Sequence, residues 1–248
     1  MPIVEIPAFT DNIIWGLQRG DQLVVVDPGE AAPVLAHLQA HGLTLAGILI
    51  THHHADHVGG IQDLLAQAPL ANIDLPIVGP AACVPHGVNR TVQEGDAVAF
   101  DGLDIHLSVM EVPGHTQDHI AYFGSMGASG PLLFCGDTLF AGGCGRLLGG
   151  TAAQLHQSLQ RLKGLPAETA VHCAHEYTLG NLQFSAHVHP DHAAIQARLS
   201  EVRARRNKGQ STLPSRMAIE QETNPFLWAP DASAFASLRA AKDVFRAA

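Results

Sequence analysis

The stretch LAGILITHHHADHVGG, residues 45–60, decides how the rest of the chain is read. Its first six residues are an apolar run of strand length, and GIQDLLAQA at 60–68 has helical spacing. The histidines therefore fall in a strand-to-helix loop, where sites usually sit. His52, His54, Asp56 and His57 place four metal-ligating side chains within six residues. In an extended segment alternate residues face the same way, so His52 and His54 can share one ion while His53 turns away. Asp56 and His57 follow where the loop turns and can address a second ion. Burying so many imidazoles without a cation would strand donors and acceptors, which argues against an incidental polar loop.

Outward from this loop, three further candidates each end an apolar, strand-like run. They are His115 in PGHT, Asp137 in CGDTLF and His175 in AHEY. With them the residues make two sets. His52, His54 and His115 offer three nitrogens to one ion, Asp56, His57 and His175 serve another, and Asp137 can bridge. Nitrogen and oxygen donors without thiolate suit two divalent ions per chain, zinc first, with iron or manganese possible. Asp56 and Asp137 are the expected catalytic carboxylates. Asp27, at the end of QLVVV, is either a turn residue or a partner that orients a ligand. His86, His106, His119 and His172 lack comparable company and read as ordinary hydrogen-bonded histidines.

The remaining pattern gives strands, some alternating with helices, up to residue 175. AAPVLAHLQAHG is a helix closed by Gly42, a hairpin turns at Asp101-Gly102, and TAAQLHQSLQRL is a helix capped by Thr151. Beyond Glu176 the character becomes helical, with predicted helices at 190–208 and 231–246 and no clear strand. Charge shifts at about the same place. Residues 1–195 hold 5 Lys+Arg against 18 Asp+Glu, whereas residues 196–248 hold 9 against 5. Two domains are expected, 1–175 and 176–248.

With 248 residues, 46% of them hydrophobic and a net charge of -9, the composition is that of a globular protein that would repel phosphate backbones and anionic lipid. Nucleic acid and membranes are not expected partners. No apolar run approaches the roughly 18 residues of a membrane span. Four cysteines without a CxxC pair suit a reducing compartment, and a cytoplasmic location is expected.

The ligand spacing, together with PGHT, CGDTLFAGGCGR, AHEYTLGN, NPF at 224–226 and the terminal LRAAKDVF, resembles the metallo-beta-lactamase superfamily and, within it, the glyoxalase II (hydroxyacylglutathione hydrolase) family. The resemblance implies a four-layer αββα sandwich of the α+β class with a C-terminal helical domain. It implies a monomeric thioester hydrolase that cleaves S-D-lactoylglutathione to D-lactate and glutathione, the second step of methylglyoxal detoxification, by attack of a hydroxide shared between two metals. It also implies glutathione contacts at Arg146, Tyr177, Arg239 and Lys242. Leu148 departs from the pattern, since family members often carry an aromatic residue there. Read without the resemblance, Arg239 and Lys242 are a solvated helix face. The alternative reading is a mononuclear iron glutathione-persulfide dioxygenase, which an intact second ligand set disfavours. A nuclease or phosphodiesterase would want a basic face.

Overall fold

The structure is a computed structural model that describes residues 3–69, 71, 74–100 and 102–246. β1 (Ile3–Ala8), β2 (Asn12–Arg19) and β3 (Gln22–Val26) form an antiparallel meander. α1 (Ala31–His41) crosses to β4 (Thr44–Leu49), which runs parallel to β3. α2 (Ala55–Val58) and α3 (Ile61–Gln67) lead on to β5 (Ile77–Gly79) and β6 (Arg90–Thr91), and these six strands make one sheet in chain order.

The second sheet begins with β7 (Ala97–Phe100), β8 (Ile105–Glu111), β9 (Ile120–Met126) and β10 (Leu132–Gly136). A short ribbon of β11 (Leu139–Phe140) and β12 (Gly143–Cys144) precedes α4 (Ala152–Lys163) and β13 (Ala170–Cys173). The chain then continues through α5 (Thr178–Val188), α6 (Ala193–Arg206), β14 (Ser215–Arg216), α7 (Met217–Thr223) and α8 (Ala232–Val244). The sheet order is β14-β13-β10-β9-β8-β7.

Strand periodicity sets the layers. Along β2 and β3, Ile13, Trp15, Leu17, Val24 and Val26 pack inward against Ile105, Leu107 and Val109 of β8. The alternate residues Ile14, Leu23 and Val25 face outward and are covered by Val34 and Leu38 of α1 and by Ile61 and Leu64 of α3. Leu155, Leu159 and Leu162 of α4 join the core on the other side, with Phe226 and Phe235 from the C-terminal segment. The result is the expected αββα arrangement.

Local chemistry explains the helix ends. Gly42 closes α1 in the left-handed region at φ 63°. Thr151 and Gln154 form a reciprocal capping box on α4, and Asp231 caps α8. One feature differs from the sequence reading. Residues 215–216 form a strand that pairs with β13, so the C-terminal segment contributes an edge to the second sheet. The turn of the β7–β8 hairpin was expected at Asp101-Gly102, and Asp101 lies outside the described residues.

Candidate metal centre

The expected ligands meet at one edge, beyond the C-terminal ends of β4, β10 and β13 and in the loop between β8 and β9. His52, His54 and His115 present ring nitrogens within 4.8 Å of one another, and the ring nitrogens and carboxylate oxygens of Asp56, His57 and His175, and of His52, His57 and Asp137, lie equally close. All seven sequence-named residues therefore converge, and Asp137 lies between the two sets. Its carboxylate oxygens are 3.4 Å from His115 Nε2, 3.5 Å from His57 Nε2 and 3.3 Å from His175 Nε2.

Close backbone approach aims these side chains. Gly136, at φ 46° immediately before Asp137, has no room for a side chain, because a Cβ would run into Thr51 Oγ1 and the His119 ring. A Cβ on Gly29 would run into the Asp56 carbonyl, so the turn after β3 can press against α2. Asp27, itself at φ 51°, accepts from Thr51 N at 2.8 Å and Thr51 Oγ1 at 2.7 Å, and lies 3.1 Å from His57 Nδ1. It is thus both the turn residue and the orienting partner. His53 turns away, as expected, to Asp118 at 2.9 Å.

His119 corrects the sequence reading. It is buried, stacks on His52 with ring centroids 4.5 Å apart, and its Nε2 accepts from the Asp137 backbone N–H at 3.1 Å. It supports the centre and is not an isolated histidine. Asp11 and Asn12 were missed altogether. Asp11 Oδ1 is 2.8 Å from His175 Nδ1, and Asn12 Nδ2 donates to Asp56 Oδ2 at 3.2 Å. A polar turn between two apolar strands was the sole sequence signal, and its partner His175 is 164 residues away. His172 packs beside Trp15 and Phe134, while His86 and His106 are exposed.

The electrostatics follow from burial among like groups. Burial, with the neighbouring imidazoles, holds His52 well below the usual imidazole range and His119 at about 3. Burial also opposes the charged form of His57, but Asp137 and Asp27 outweigh it and carry His57 up to about 9. Asp137 is held below the ordinary carboxylate range against its burial, chiefly by His57 and His175.

The donor set fits divalent cations on its own geometry. His54 Nδ1 lies 3.1 Å from His52 Nε2 and 3.0 Å from His115 Nε2, a cluster that neutral imidazoles cannot satisfy with their own protons. Such nitrogens around a tetrahedral ion bound at about 2.1 Å would be about 3.4 Å apart, so small shifts suffice. His57 Nε2 and Asp137 Oδ1 are buried without a hydrogen-bond partner, facing the same space.

A cavity of about 600 Å³ opens above these ligands. Its wall carries Arg146, Tyr177, Arg239 and Lys242, the four residues named from the sequence for glutathione, together with Leu148 and Arg246. Tyr177 stacks flat on the His175 ring at 4.7 Å. Arg239 is 4% exposed and donates to the Cys144 carbonyl at 2.9 Å and to Asp243 at 3.0 Å. Lys242 donates to the Gly180 carbonyl at 2.8 Å, and burial together with Arg239 and Arg146 lowers its pKa to about 8. The plain reading of these two as a solvated helix face is therefore corrected. Arg146 is open to solvent with its Nε 3.9 Å from Asp243, and Leu148 is exposed at the rim.

Fold and ligand geometry together define the metallo-beta-lactamase class, and residues 13–175 match the Metallo-beta-lactamase superfamily. Residues 176–245 match the Hydroxyacylglutathione hydrolase C-terminus. Over 99% of this chain and 100% of the relative, the sequence is 46% identical to a hydroxyacylglutathione hydrolase of Cupriavidus taiwanensis. The crystal structure of ETHE1 from Myxococcus xanthus superposes with a TM-score of 0.69 at 25% identity, covering 100% of this chain and 93% of that one. TTHA1623 in a di-iron-bound form gives a TM-score of 0.61 at 27% identity, over 91% of this chain and 100% of that one. The chain belongs to the hydroxyacylglutathione hydrolase family. Its fold and paired His/Asp sets suggest a dinuclear metal site.

Proposed function

We infer that this chain is a thioester hydrolase that cleaves S-D-lactoylglutathione and related S-2-hydroxyacylglutathiones to the 2-hydroxy acid and glutathione. The observation that carries the reading is one cavity with members of both ligand sets at its floor, His54 and His115 of one and Asp56 and His175 of the other with Asp137, and cations on its wall. His52, His54 and His115 would hold one ion, Asp56, His57 and His175 the other, and Asp137 would bridge them, with zinc the favoured metal on donor chemistry. When bound, the ions supply a nucleophilic water at neutral pH and polarise the thioester carbonyl.

The chain's own residues do the rest. Asp137 fixes the spacing of the two sets, and Asp56, half exposed at the cavity floor, faces the reacting centre. The leaving group is a thiolate whose conjugate acid has a pKa near 8.5, so its departure needs no strong general acid. Residues 176–248 form the glutathione-binding part, whose Tyr177, Arg239 and Lys242, together with Arg146 from the loop between β12 and α4, receive the carboxylates and peptide backbone of the substrate. The protein is read as a cytoplasmic monomer acting on a small molecule. Among the described residues, no helix is long and apolar enough to cross a membrane.

The mononuclear dioxygenase alternative needs one ion and would leave Asp56, His57 and His175 without a task. A steady-state assay separates the two. Loss of the thioester absorbance of S-D-lactoylglutathione, with no oxygen consumed on glutathione persulfide, is expected. Oxygen uptake on the persulfide without thioester hydrolysis would overturn the reading.

A further inference from the structure

We propose that Asp11, in the turn between β1 and β2, and Asn12, the first residue of β2, are positioning residues for one of the two metal subsites, the set of Asp56, His57 and His175. The proposal rests on the dinuclear reading above and adds to it a separate support for that subsite. The turn is carried by the first sheet but reaches across to the end of β13 in the second. Ile13 N donates to the Ala174 carbonyl at 2.7 Å, Asn12 forms a β-bridge with His175, and Glu176 N donates to the Asp11 carbonyl at 2.9 Å. On its other side Phe9, at φ 49°, donates its N–H to Glu30 Oε2 at 2.9 Å. The two backbone hydrogen bonds that make this bridge, and the Phe9 anchor, fix where the two side chains start.

Each side chain then meets a different ligand of the same set. Asp11 Oδ1 accepts from His175 Nδ1 at 2.8 Å, which places the His175 proton on Nδ1 and leaves the Nε2 lone pair facing Asp56 and Asp137, 3.5 and 3.3 Å away. Tyr177 covers the face of the same ring, so His175 is held at its edge and on its plane. Asn12, itself buried, donates from Nδ2 to the Asp56 carbonyl at 3.3 Å and to Asp56 Oδ2 at 3.2 Å. That bond fixes the rotamer of a carboxylate which is otherwise 43% exposed. The other set takes its support elsewhere: His115 Nδ1 bonds the Arg146 carbonyl at 2.8 Å, and His52 Nδ1 lies 3.1 Å from Thr51 Oγ1. The turn therefore touches one subsite and leaves the other alone.

Zinc titration of the metal-free chain in competition with a chromophoric chelator tests this. The unaltered chain is expected to take up two ions. In Asp11→Asn and in Asn12→Leu one ion should bind about 10- to 100-fold more weakly, the scale for lost partners of metal ligands, while the other keeps its affinity. Asp11→Glu should recover part of the loss. Circular dichroism and thermal melting of the metal-free variants show whether they are folded. Two ions held with unchanged affinity by folded variants would overturn the proposal and leave the dinuclear reading standing. Equal weakening of both ions would overturn it too, by returning the turn to a general structural role. An unaltered chain that binds a single ion overturns both.

Discussion

At the scale of single residues, the centre sets groups with opposed proton affinities against one another. His57 is raised to about 9 by Asp137 and Asp27, whereas burial lowers His52, His119 (to about 3) and His172 (to about 4). A raised histidine stabilises the fold fully below its unfolded pKa of about 6.5, and that contribution is lost as pH climbs through 9. A lowered histidine contributes above about 6.5 and loses its contribution as the unfolded chain takes up protons below that pH. For these four groups the metal-free chain is thus expected to be most stable near pH 6.5, with melting temperature declining on either side. Bound cations displace the His57 proton, so the alkaline decline should vanish in the metal-loaded chain. Melting curves from pH 5 to 9 check both statements, and an alkaline decline that persists with metal bound would refute the second. The candidate ligands were legible in the sequence because four of them share one loop and the other three each end a strand-like run. Asp11, Asn12 and His119 were not, because their meaning lies in partners brought up by the fold.

At the scale of elements, α8 illustrates what helical periodicity can and cannot tell. The helix and its Asp231 cap are readable, but the burial of Arg239 follows from the neighbouring ribbon, whose Cys144 carbonyl it bonds. Arg239→Ala should cost stability of about 1 to 3 kcal/mol by leaving that buried carbonyl unpaired, and should also raise KM. Arg146→Ala, at an open position, should change KM with little effect on melting. Lys242 gives a sharper test. Its pKa of about 8 means that its charge is lost within the working range, so KM should rise as pH passes through 8. Lys242→Arg keeps its charge and should flatten that rise, with kcat little affected because the contact is remote from the thioester. A KM that climbs equally in both proteins would place the titrating group elsewhere. The two-residue strand β14 had no pattern to betray it, since its pairing with β13 is a tertiary event.

At the scale of the whole molecule, the sequence reading divided the chain near residue 175, on a shift in charge and periodicity. The packing joins the two parts. Phe184, Leu213, Phe226 and Phe235 from the C-terminal segment belong to the same buried cluster as Trp15, Phe134 and Leu155. The carboxylate of buried Glu220 accepts from both sides, from Gly142 N–H at 2.7 Å and from Arg198 Nη2 at 2.5 Å. A segment that shares core and buried polar partners with the rest is not expected to unfold by itself. Calorimetry of the metal-loaded chain should therefore show one cooperative transition, with residues 176–248 melting together with the sandwich. The metals tie into the same equilibrium. An ion present at about 1,000 times its dissociation constant adds roughly 4 kcal/mol per site, and for a chain of this size each kcal/mol moves the midpoint by about 2 to 4 °C. Removing one such ion with a chelator should lower the transition by about 8 to 16 °C while leaving it single. Two resolved transitions, one of them indifferent to the chelator, would instead make the C-terminal segment an independently folding domain.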